Sequence, residues 1–261
     1  MEIVTVCIAG FNILIKFLPI KDYPLLKKKF KKDLLHYLRG FIVPHKENIF
    51  LTINIHDKGS YQLLYNNKKS FIEIANYEDN NVINLSYHIG ISQAFIILSN
   101  LIYSLLGHHD GFILHGSVAL INEKAHIFIG TNGAGKSTII HLLKKNFLSL
   151  ADDQVFIRKI NNSFYFFQNP YIENATWIQK TYQPFEIGNV YELKKNQYFK
   201  IKLLPHEEAL HSLLQNLTTS KENQEIFIRN LFSFFSKNIK CYEFNFNLDQ
   251  QKLFAYFEKN E

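Results

Sequence analysis

Apolar and polar positions alternate through the first eighteen residues in two short runs parted by Gly10, which predicts an opening hairpin over 2–18. The period turns helical over 24–38, where Leu25, Leu26, Phe30, Leu34, Leu35 and Leu38 recur every three or four positions until Gly40 ends the run. Three further strands are predicted at 50–55, 61–65 and 70–74, parted by turns at Asp57-Lys58-Gly59 and Asn66-Asn67. A long uncharged run over 89–106 is interrupted by Ser92, Gln93, Ser99, Asn100 and Ser104. It reads as a buried helix over 91–106 that falls short of a membrane span. The pattern divides the chain into a small, strand-rich α+β N-terminal module over 1–88, without recognisable chemistry, and a second domain over 89–261.

The second domain has a different texture. A continuous apolar strand over 112–120, a turn at Glu123-Lys124 and a second strand over 125–129 lead into a glycine-rich turn and then a run with helical spacing. Residues 147–160, FLSLADDQVFIRKI, read as a strand interrupted by two carboxylates, and 164–167 as another, closed by Asn169-Pro170. Residues 171–188 lack periodicity and read as a substrate loop, with the aromatic-rich part over 171–185 as the place where an acceptor docks. Helical spacing returns over 205–217, with Glu207 and Glu208 in the first turn, and over 225–235. A late strand over 241–246 and a helical end complete an α/β domain.

The glycine-rich turn carries the chemistry. Gly130, Gly135, Lys136 and Ser137 satisfy G-x-x-x-x-G-K-[ST], so the stretch Gly130, Thr131, Asn132, Gly133, Ala134, Gly135, Lys136, Ser137 and Thr138 reads as a nucleotide-binding P-loop. Glycines let successive backbone N–H groups point inward around phosphate oxygens, and the following helix adds the positive end of its dipole. Lys136 would reach the β- and γ-phosphates, and the Ser137 hydroxyl would hold Mg²⁺.

A loop of this kind only holds a nucleotide; chemistry depends on what else reaches the γ-phosphate. Asp152 and Asp153 stand inside an otherwise apolar strand, where carboxylates are costly unless they serve a metal, a hydrogen bond or a substrate. A turn or a helix cap would also use Asp, but Gln154-Val155-Phe156-Ile157 continues as strand. One carboxylate would complete the Mg²⁺ shell and the other would accept a proton from an attacking hydroxyl. His115, in Leu114-His115-Gly116-Ser117, reads from spacing alone as structural.

Composition narrows the setting. The 261 residues are 47% hydrophobic and 20% charged, the balance of a folded soluble protein and not of a disordered one. The N-terminus lacks the basic start of a signal peptide, and Cys7 and Cys241 stand far apart without metal-ligand spacing, which fits a cytoplasmic protein. The net charge of +6 comes almost entirely from lysine, with only Arg39, Arg158 and Arg229 as arginines. Its cluster KDYPLLKKKFKK over 21–32 reads as a solvated helix face, with a docking patch for an acidic partner as the alternative. No nucleic-acid signature is present.

HGSVALINEKAHIFIGTNGAGKSTIIHLL followed by LADDQVFI resembles the catalytic domain of the HPr kinase/phosphorylase family, and more closely its shorter, HPr-kinase-related serine kinases. The resemblance covers about residues 111–170 and thins out by 205; the N-terminal module is unlike that of the bifunctional enzyme. It implies a phosphoenolpyruvate-carboxykinase-like nucleotide fold with ATP and Mg²⁺ as cofactors. It also implies transfer of the γ-phosphoryl group to a hydroxyl on a peptide, protein or small molecule. By the same resemblance Asp153 would be the general base, with Asp152 and His115 ordering the site, and self-association is plausible. A family glutamate in a Glu-Ile-Arg-Gly-type motif helps bind the metal. Here the nearest match is Glu186 in Glu186-Ile187-Gly188-Asn189, which lacks the arginine, with Glu173 as a rival. HPr as substrate and the reverse phosphorylase activity are therefore not carried over. The spelling GTNGAGKST also occurs in transporter-type ATPases, but this chain has no LSGGQ-like signature. A nucleotide-binding regulator is the remaining alternative.

Overall fold

The alternation at the start of the chain folds into a hairpin, β1 (Glu2–Ile8) against β2 (Phe11–Phe17), with Ile8 opposite Phe11. The two-residue turn uses Ala9 and Gly10 at φ 52° and 76°, whose left-handed backbone matches the twist of the strands. The computed structural model describes residues 1–19, 24–56, 75–79, 81–171, 175–237 and 239–259. After the hairpin come α1 (Pro24–Tyr37), β3 (Ile42–Val43), β4 (Leu51–His56), β5 (Ala75–Asp79) and β6 (Val82–Ser86). The strands form a mixed six-stranded sheet in the order β3-β1-β2-β4-β6-β5. The strands expected at 61–65 and 70–74, and the turns around them, lie outside the described residues.

β5 and β6 escape a reading by hydrophobic pattern because asparagines fill the interior positions of one sheet face. Asn54 Nδ2 donates to Asn84 Oδ1 at 3.0 Å, and Asn84 Nδ2 to Asn76 Oδ1 at 3.1 Å. This amide ladder links three strands where β-branched residues are the usual signal.

The described chain divides into two compact units, Met1–Leu101 and Ile102–Glu261. The division falls inside α2 (Ile91–His108), whereas the hydrophobic pattern places a boundary ahead of that helix. By length and composition α2 is long and apolar enough to cross a membrane, with mean hydropathy 1.3, despite the polar residues that interrupt it. Only 28% of the helix is buried, on a stripe that includes Ala94, Leu98, Ile102 and Leu106.

The second unit is built around β7 (Gly111–Ile121). It continues with β8 (Lys124–Ile129), α3 (Lys136–Leu143), β9 (Leu148–Ala151), β10 (Gln154–Ile160), β11 (Ser163–Phe167), β12 (Phe185–Lys195) and β13 (Lys200–Leu203). Then follow α4 (His206–Gln215), β14 (Leu217–Thr218), α5 (Gln224–Phe235), β15 (Cys241–Phe246) and α6 (Gln250–Lys259). The main path of the mixed sheet runs β11-β10-β7-β8-β12-β15-β13, with β9 and β14 paired to β7. β11 also pairs with β12 through Tyr165–Glu186 and Phe166–Phe185, so β10, β7, β8, β12 and β11 close into a ring of pairings. The molecule is thus a mixed α/β chain with two mixed sheets.

β8, β12 and β15 run parallel, and α3 buries Ile139, Ile140 and Leu143 in the core that includes Phe128, Tyr191, Phe244 and Phe257. Stacking of Phe128 on Tyr191 (5.4 Å) and Tyr191 on Tyr242 (5.5 Å) ties the three parallel strands together. His126, two positions before Phe128 on the same strand, also stacks on Tyr191, at 5.9 Å. Burial, with Lys124 nearby, pulls its pKa from 6.5 down to about 4. Between those values the folded chain keeps His126 neutral while the unfolded chain binds a proton, so stability falls as the pH drops through that window. The loss approaches about 3 kcal/mol at its lower end. Urea denaturation at neutral pH and near pH 4.5 is expected to show this acid loss in the wild type and a smaller one in His126→Phe.

Candidate active site

The turn from β8 into α3 is held open by backbone geometry and by neighbours. Gly130, Gly133 and Gly135 take φ 148°, 81° and 103°. Gly135 is also boxed in: a Cβ there would stand 2.6 Å from Phe246 Cζ. It caps α3, so the amides of the first helical turn open onto the loop with the positive end of the dipole behind them. Asn216, just past α4, fixes the start of the loop: its Oδ1 accepts from Gly130 N–H at 3.1 Å, while its Nδ2 donates to Ser212 O at 2.8 Å.

Lys136 is buried to 8% exposure and folds over the loop, donating from Nζ to Gly130 O at 2.7 Å and Thr131 O at 3.2 Å. Its own carbonyl accepts from the buried Ser117 hydroxyl of β7 at 2.9 Å. Burial lowers the Lys136 pKa, and Asp153 and Asp152 oppose that shift.

The two carboxylates stand not inside a single strand, as expected for 147–160, but at a bend that parts it into β9 and β10. β9 and β10 both pair with β7, Ala151 opposite Val118 and Gln154 opposite His115, and residues 152–153 form the bend between. Gly116 N–H still donates to Asp153 O at 3.0 Å, which anchors the bend. A side chain at position 116 would put its Cβ 2.9 Å from Phe128 O, hence His115-Gly116 with a glycine second. His115 Nδ1 lies 3.0 Å from Asp153 Oδ1 and 3.1 Å from Asp153 O. Burial raises the Asp152 pKa; a hydrogen bond from Ser137 and the charges of His115 and Lys136 pull it down, and Asp153 pushes it up.

These groups share one cavity of about 490 Å³. The loop and α3 contribute Asn132, Gly133, Gly135, Lys136, Ser137 and Thr138; β7 and the bend contribute His115, Asp152 and Asp153. Sequence reading missed one lining residue, Lys195, at the end of β12, and the clamp Asn216 behind the loop. Neither belongs to a local motif. Gly130, Thr131 and Ala134 shape the loop without lining the cavity. A larger cavity, about 750 Å³, lies at the other end of β8 and β12 against His126, Asn189 and Tyr191, and none of the loop or carboxylate residues line it.

Glu186 is not brought to this site. It pairs with Tyr165 near the start of β12, whereas Glu192, six residues on, pairs with Ile129 at the foot of the loop. That separation is about 20 Å along the strand. Glu173 lies outside the described residues. The segment expected as a loop over 171–188 becomes strand at Phe185. Ahead of it, Gln168 ties the segment down by donating to Leu150 O (2.6 Å) and Gln179 O (3.1 Å) and accepting from Thr181 N–H (2.6 Å). Trp177 stays 42% exposed, with Lys144 Nζ 4.5 Å from its ring centroid.

Among the described residues no group of three or more metal-ligating side chains gathers. The donor set here, the Ser137 hydroxyl and the Asp152 carboxylate, fits Mg²⁺ that takes its other oxygens from phosphate and water. No family model matches the chain, and no curated protein matches its sequence. Among solved structures it is similar to the Hpr(Ser) kinase/phosphatase from Coxiella burnetii, at 12% identity and a TM-score of 0.30. That match covers 57% of this chain and 94% of the other. The likeness in fold is distant.

Proposed function

We propose that this chain is a Mg-ATP-dependent phosphotransferase of the HPr-kinase-like kind, with a phosphoenolpyruvate-carboxykinase-like nucleotide domain and a hydroxyl-bearing acceptor. The observation that supports it most is the convergence of a phosphate cradle and a hydrogen-bonded carboxylate on one cavity. Lys136 lies over the loop, and Asp153, held 3.0 Å from His115 Nδ1, lines the same space. An anion cradle alone needs no proton acceptor beside it. Transfer to a hydroxyl does.

In this reading the amides of the loop and α3, with Lys136, hold the polyphosphate. Asp153 takes the proton of the acceptor hydroxyl as its oxygen bonds the γ-phosphorus; the bond to the β–γ bridging oxygen breaks and ADP leaves. His115 keeps the Asp153 carboxylate turned into the cavity. Ser137 and Asp152 would hold Mg²⁺, which supplies charge neutralisation on the phosphates. A cytoplasmic setting supplies the ATP. The acceptor class spans a serine of a peptide or protein and a small-molecule hydroxyl.

Incubating the protein with γ-labelled ATP and host lysate tests this directly. Label on one acceptor species is the expected result; stoichiometric ATP binding without any labelled acceptor would favour a regulator instead. Metal dependence gives a second check. At about 100-fold excess over Kd, Mg-ATP should add about 2.7 kcal/mol, or roughly 5–10 °C in the melting temperature. Chelating Mg²⁺ with EDTA should remove most of that shift, because Asp152 and Asp153 then face the phosphates uncompensated.

A further inference from the structure

The two lysines that end β12 face different surroundings. Side chains alternate along a strand. Lys194 is engaged by Glu243 at 2.8 Å and Glu192 at 3.8 Å. Lys195 instead lines the nucleotide cavity, and no hydrogen bond or ion pair holds it among the described residues. Its place is nevertheless fixed. The next residue, Asn196, donates from its backbone to Phe246 O at 3.0 Å and from Nδ2 to Asn245 Oδ1 at 3.1 Å. Gly135 leaves space for the lysine stem: a Cβ on that glycine would lie 3.4 Å from Lys195 Cε. The stem therefore runs beside the N-terminus of α3, where the loop amides open.

The charges lining the cavity make this position matter. Lys136 and Lys195 supply the cations, and Asp152 and Asp153 the anions. Lys136 is already shared with two loop carbonyls. Without Lys195 a single lysine would stand against two carboxylates and a polyphosphate that is itself an anion with its metal bound. We infer that Lys195 is a second phosphate-binding cation, contacting the polyphosphate of the bound nucleotide from β12, across the loop from the carboxylates. This rests on the phosphotransferase reading and adds a contact that lies outside every motif of the loop.

The test is Mg-ATP affinity by titration calorimetry at fixed ionic strength, which needs no acceptor. Lys195→Ala is expected to weaken Mg-ATP binding at least tenfold, and Lys195→Arg to stay within about threefold of wild type, because the charge is kept. Lys194→Ala removes the same formal charge one position earlier and is expected to change affinity less than twofold. Wild-type affinity in Lys195→Ala, or an equal loss in the alanine and arginine variants, would overturn the inference and leave the functional reading intact. A wild-type chain that binds no Mg-ATP would overturn both.

Discussion

Lys136→Ala is expected to abolish nucleotide-dependent phosphoryl transfer, with a loss of about 10³-fold or more. The side chain is nearly buried, crosses the loop to Gly130 O and Thr131 O, and feels the charge of both carboxylates, which oppose the lowering of its pKa by burial. Alanine removes the charge that would meet the transferring phosphoryl group and leaves two loop carbonyls facing it without their donor. The helix itself should survive, because alanine is the strongest helix former and the Ser117 bond goes to the backbone carbonyl of position 136. Transfer of label from γ-labelled ATP, alongside circular dichroism of the variant, separates a dead site from a misfolded chain. Undiminished transfer in a folded variant would remove the loop from the mechanism.

The part of this site visible in the sequence is the part encoded locally. Gly130 to Thr138 must supply its own curl, its own lysine and its own helix start, so the residues stand in one run. Asp152 and Asp153 are visible for the opposite reason: they interrupt an apolar strand that would otherwise have no use for them, and the structure places the bend there. His115 was ambiguous because a histidine on a strand is ordinary until its partner is known. That partner is 38 residues away, delivered by the pairing of β10 with β7. Lys195 and Asn216 were out of reach for the same reason, with no local pattern to mark them. The wrong expectation for Glu186 shows the reverse failure. A four-residue match places a residue in sequence, whereas parallel pairing of β12 with β8 sets which end of the strand meets the loop. In the first unit, the amide ladder through Asn54, Asn84 and Asn76 hid two strands from a hydrophobic pattern that had found β1, β2 and β4.

Asp153→Asn is expected to lower the transfer rate by about 10²-fold or more while leaving Mg-ATP binding largely intact. The substitution keeps the shape of the side chain and the backbone of the bend, where Gly116 N–H donates to the carbonyl of position 153. An amide oxygen can still accept from His115, so the side chain should stay turned toward the imidazole. What it loses is the ability to take a proton. It also removes a negative charge that acts on Lys136, so Mg-ATP affinity should hold or rise slightly. That combination, a fall in kcat with KM for ATP unchanged or lower, is the signature of a group that acts in the transition state and contributes nothing to ground-state binding. Asp152→Asn should differ in kind: with the carboxylate beside Ser137 gone, the Mg²⁺ concentration needed for half-maximal rate should rise. An unchanged rate in Asp153→Asn would reject the base assignment, and a matching loss of nucleotide affinity would move Asp153 from proton transfer to the binding of the nucleotide itself.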